Sequence, residues 1–97
     1  MISKELLSEI LGEEVKEVYG EQSYMLCYLS SDIYAINIYE LAHKCKMWAK
    51  KQGYWLYSSI DVCDIWEENI NIKNVQETNE PEAIFKACEW IREQIGA

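Results

Sequence analysis

Apolar residues recur along this chain with two different periods, and the switches between them mark out its elements. Ile2, Leu6 and Ile10 are spaced every four residues, as on one face of a helix. Ser3 suits the N-cap and Gly12 the stop, so a helix is predicted over 3–11. Residues 15–19, 24–29 and 33–37 are rich in aromatic and β-branched residues, with turn chemistry at 20–23 and 30–32 between them. They read as a three-stranded meander. Asn37 then caps a second helix, with Glu40 three residues on as in a capping box. Ile38, Leu41, Cys45 and Trp48 form its buried seam, with Ala42 and Ala49 beside it, and Gly53 ends it. Residues 54–60, 62–66 and 70–75 repeat the strand pattern. A polar run over 76–80 leads into a last helix, with Pro81 in its first turn, where no N–H is needed. Its seam is Ile84, Cys88, Ile91 and Ile95, flanked by Phe85 and Ala87, and Gly96 stops it. The predicted order is α-βββ-α-βββ-α, an α+β fold in which short antiparallel strands form a sheet covered by helices. The two halves align at K-C-K-M-W and K-A-C-E-W only through a gap, which gives duplication little support.

Composition narrows the function classes more than the fold. At 97 residues, 49% apolar and 27% charged, the chain fits one globular domain over 1–97. No apolar run reaches the length of a membrane span, and the first residues lack the pattern of a secretory signal. The net charge of −8 disfavours direct nucleic-acid binding and favours a partner with a basic surface. The charge is uneven: residues 38–52 hold one acid, Glu40, and four lysines, Lys44, Lys46, Lys50 and Lys51. Cys27, Cys45, Cys63 and Cys88 lie far apart in apolar patterns, which points to reduced core residues. No C-x-x-C is present and there is one histidine, so neither zinc nor any other metal or cofactor is expected.

The candidate chemistry centres on the second helix. His43 and Cys45 are two residues apart, so on a regular helix they point about 200° apart and cannot form a dyad. With Cys45 inward, His43 joins Tyr39, Lys46 and Lys50 on the outer face, an aromatic and cationic strip that can contact an acidic group or a phosphate. Asp61, Asp64, Glu67, Glu68, Glu77, Glu80 and Glu82 make an acidic stretch. Its spacing fits no calcium loop and no carboxylate pair of a hydrolase. It can aid solubility or mimic phosphates. Seven Tyr, four Trp and one Phe exceed what a core of this size takes up. Trp55 and Tyr57 lie on one strand beside neighbours that face the other way, and Trp90 falls off the last helix's seam. These three are the other candidate contact residues.

The words INIYELAHKCKMWAKKQGYWLYSS (36–59) and EPEAIFKACEWI (80–91) resemble a family of small α+β proteins encoded in bacteriophages and prophages. The first 35 residues and the 61–75 hairpin carry no part of the resemblance, and Asn79 stands as an extra residue before the second word. The resemblance implies a mobile-element origin and action in the cytoplasm of a bacterial host, and it transfers no catalytic residue. The expectation is a non-enzymatic accessory protein that binds a host protein and inhibits a defence or nucleic-acid enzyme, as anti-CRISPR proteins do. The alternative is a small-molecule or nucleotide binder that uses the basic helix face. Dimerisation is compatible with both.

Overall fold

The structure is a computed structural model that describes residues 2–20, 23–30 and 32–96. Its elements follow the predicted order: α1 (Lys4–Leu11), β1 (Glu17–Gly20), β2 (Tyr24–Tyr28), β3 (Ile33–Asn37), α2 (Ile38–Lys51), β4 (Trp55–Ser59), β5 (Val62–Glu67), β6 (Ile70–Gln76) and α3 (Glu80–Gly96). The fold is α+β, with two three-stranded antiparallel meanders, β1-β2-β3 and β4-β5-β6. The helices start and stop where local chemistry directs. Ser3 Oγ accepts from Leu6 N–H, and Gly12 takes the left-handed conformation (φ 76°) that closes α1. Asn37 Oδ1 accepts from the N–H groups of Tyr39 and Glu40 at 2.8 and 3.3 Å. The reciprocal bond of a capping box, from Asn37 N–H to the Glu40 carboxylate, is absent among the described residues. Asn79 Oδ1 accepts from Glu82 N–H at 2.9 Å and caps α3.

One continuous core joins the elements. Leu41, Ala42, Cys45, Trp48 and Ala49 of α2 and Ala83, Ile84, Phe85, Ala87, Cys88 and Ile91 of α3 are buried in it. The helices pack on each other; α3 lies across all three strands of the second sheet, and α2 reaches both β3 and β4. Helix α2 is thus the element that ties the two sheets together.

Three expectations shift, and β6 adds a fourth difference. Val15 is buried but precedes β1, whose ladder begins at Glu17. Ile95, placed on the α3 seam, is 45% exposed, because the last turn of α3 runs beyond the core. Ile38 is only partly buried, because it opens α2 at the edge of the core. Ile70 and Ile72 are exposed, and β6 buries Val75, of the opposite parity. Val75 pairs with Cys63 and so faces the core, which by alternation turns Ile72 outward; a bulge, in which Ile65 pairs with Lys73 but Trp66 with Asn71, then leaves Ile72 as the extra residue. Asn71 Nδ2 donates to the Ile65 carbonyl at 3.1 Å across this irregularity. The predicted turns at 20–23 and 30–32 include Glu21, Gln22 and Ser31, which lie outside the described residues.

Candidate functional site

The two sheets each cover one face and leave the other open. In the second sheet, Leu56, Cys63, Ile65 and Val75 point toward the helices, and Ser58 Oγ donates to Glu80 Oε2 of α3 at 2.7 Å. Strand alternation therefore turns Trp55, Tyr57, Asp64 and Trp66 the other way. Register brings them together: Trp55 pairs with Trp66, and Tyr57 with Asp64. The Tyr57 and Trp66 rings meet edge to face, with centroids 6.1 Å apart and planes at 82°. Trp55 is 40% exposed and Tyr57 60%. Tyr57, Asp64, Trp66, Glu68 and Asn69 line a shallow groove of about 360 Å³. The bulge matters here, because it sets the amide of Asn71, rather than Ile72, opposite Trp66. With its carboxamide oriented to satisfy both of its atoms, Asn74 donates to Asp64 Oδ1 at 2.9 Å and holds that carboxylate in place.

The outward face of the first sheet is aromatic and apolar. Tyr19, Tyr24, Leu26, Tyr28 and Ile33 share it by register, and the rings of Tyr19 and Tyr28 pack edge to face at 5.4 Å. Tyr19 donates to Glu17 Oε2, and that bond raises the Tyr19 pKa.

The predicted strip on α2 divides. Tyr39, His43 and Lys46 share a groove of about 150 Å³ with Ala42 and with Glu80, Pro81 and Ile84 of α3. Lys50 is exposed and lies outside that groove. Glu80 puts a carboxylate where an anionic ligand would approach, which weakens the strip as a phosphate site. Trp90 is partly buried against the core and stacks edge to face on Tyr54 at 6.5 Å, apart from Trp55 and Tyr57.

His43 is exposed and Cys45 is fully buried, so the two residues face apart as the helix geometry requires. All four cysteines are free and buried. Among the described residues, no three His, Cys, Asp or Glu side chains gather as a metal site, and no helix is long and apolar enough to cross a membrane. Sequence reasoning missed Trp66 and set Asp64 and Glu68 aside as part of an acidic run. The signal was present in the two residues, Ile60 and Asp61, that separate β4 from β5. A two-residue hairpin fixes register, and that register puts Trp66 beside Trp55.

No family model, curated protein or solved structure matches the chain.

Proposed function

We propose that this protein is a non-enzymatic binding module that docks on the basic surface of another protein. In the setting that the phage resemblance implies, the partner is a host protein and docking inhibits it. The observation that carries this reading is the open face of the second sheet, where the exposed Trp55 and Tyr57 and the half-buried Trp66 stand beside Asp64 and Glu68. Aromatic side chains supply most of the binding energy at protein interfaces, and they do so at low entropic cost. Carboxylates around them select a basic partner and speed its approach, as the net charge of −8 also does. The buried thiols and the separation of His43 from Cys45 support a binding role over nucleophilic catalysis.

The test is affinity capture from bacterial lysate with the wild type, with Tyr57→Ala/Trp66→Ser, and with Lys46→Ala/Lys50→Ala. The expected result is a basic protein retained by the wild type and by the α2 variant but lost from the sheet variant. Its retention should weaken at least about tenfold as salt rises from roughly 50 to 300 mM. Equal capture by the wild type and the sheet variant would refute the assignment to this face.

A further inference from the structure

We infer that the groove beside Trp66 is a receptor for an arginine side chain of the partner protein, an inference that rests on the binding role proposed above. A guanidinium asks for two things at once: a flat aromatic surface to stack on and carboxylate oxygens within reach of its fork of N–H groups. Both meet in this groove. Tyr57 and Trp66, set at 82°, give it two walls at right angles. Asp64 and Glu68 supply carboxylates from the strand and from the β5–β6 turn. Asp64 is held by Asn74, so its placement does not depend on the ligand. Among the described residues, no lysine or arginine forms an ion pair with Asp64 or Glu68. The groove is therefore an acidic and aromatic site whose cation must come from outside the chain. Its volume of about 360 Å³ exceeds that of a guanidinium and leaves room for the adjoining stem.

Glu68 adds a separate observation that makes the inference easy to test. It is the one non-glycine residue with positive φ (56°) among the described residues. An L-residue is disfavoured there, and glycine is the natural occupant. Glu68→Gly should thus keep or raise the melting temperature while it removes a carboxylate from the groove. A loss of binding in that variant cannot be blamed on misfolding.

The experiment is a titration of the full chain, followed by the tryptophan indole N–H signals in two-dimensional NMR. The probes are N-acetyl-arginine methylamide, its neutral isostere N-acetyl-citrulline methylamide, and N-acetyl-lysine methylamide. Arginine should shift the Trp66 indole saturably, in the millimolar range, and citrulline should bind at least about fivefold more weakly. Asp64→Asn and Glu68→Gly should each weaken arginine binding at least about threefold. Equal shifts with citrulline, shifts confined to other tryptophans, or unchanged affinity in both variants would overturn the inference. A lysine probe that binds as well as arginine would overturn its assignment to a guanidinium. If arginine fails to bind while partner capture still requires Trp66, the groove inference falls and the binding role stands. If arginine binds but the sheet variant captures its partner normally, the groove binds a guanidinium but the assignment of partner docking to this face falls.

Discussion

Cys45, Cys63 and Cys88 meet where α2, α3 and β5 come together, and they show how burial decides what a residue can do. Cys88 Sγ donates to the Cys45 carbonyl at 3.5 Å. Burial pushes the Cys63 thiol up from 9.0 to about 12; Cys88 and the carboxylates of Asp64 and Glu80 add to the effect, and Lys46 opposes it. Cys88 is raised well above its ordinary value, first by its hydrogen bonding with Cys45 and then by burial. Desolvation also raises Cys27. Such thiols stay protonated and inert in the folded protein. The stability consequence has a definite sign. These groups are neutral in both states below pH 8, so they impose no pH dependence there. Above pH 9 the unfolded chain releases their protons and the native state does not, so stability falls as pH rises toward 12. The limit is about 1.4 kcal/mol per pH unit for each thiol. Urea midpoints measured from about pH 7 to 10.5 should be flat and then fall, and Cys63→Ala should make the alkaline limb shallower. Ellman's reagent at pH 8 should leave all four thiols unreacted until urea unfolds the chain.

At the scale of elements, the ends of helices carry long-range information. Ser3 caps α1, and both its N–H and its Oγ donate to the Glu89 carboxylate of α3, at 3.0 and 2.9 Å. Glu89 thereby fastens the first helix to the last. Arg92 Nε donates to Glu9 Oε1 at 3.2 Å along the same seam, but that pair is largely solvated and contributes little. Glu89→Ala strips a charged acceptor from two donors and should cost about 1–3 kcal/mol in urea unfolding. Glu93→Ala, at an exposed position of the same helix, should stay within about 0.5 kcal/mol. The caps at Ser3, Asn37 and Gly12 were readable because capping is local. The partner of Ser3 was not, because Glu89 lies 86 residues away. The exposure of Ile72 was equally hidden, since which parity of β6 faces the core is set by its pairing with β5, Val75 opposite Cys63, and not by the alternation of β6 alone.

Across the whole molecule, the two sheets differ in how they are held. Helix α3 covers β4, β5 and β6 together, whereas the first sheet is carried chiefly by the contact of β3 with α2. β1, at the far edge, is four residues long and mostly exposed. Native-state hydrogen exchange should therefore show β5 amides such as those of Cys63 and Ile65 opening only with global unfolding. Amides of β1 should exchange at least about tenfold faster, through opening of the first sheet alone. Equal protection of the two sheets would mean that they unfold as one unit. The open faces follow from the same arrangement: three helices are enough to cover one side of each sheet, and the aromatic residues on the other side pack on one another, Tyr19 on Tyr28 and Tyr57 on Trp66.

The sequence by itself determined the element order, the inward faces of α2 and α3, and the separation of His43 from Cys45. Those follow from period and spacing, which act over a few residues. It also showed that the aromatic residues outnumber the places a small core offers. Only the tertiary structure decided which aromatics stand together in the open. Trp66 joins Tyr57, Asp64 and Glu68 through strand pairing, and Trp90, of the same chemical type, turns instead against Tyr54 and the core. Likewise the cationic strip of α2 acquired the carboxylate of Glu80 from another helix. Register and helix packing are long-range choices, and a groove built from several elements exists only once they are made.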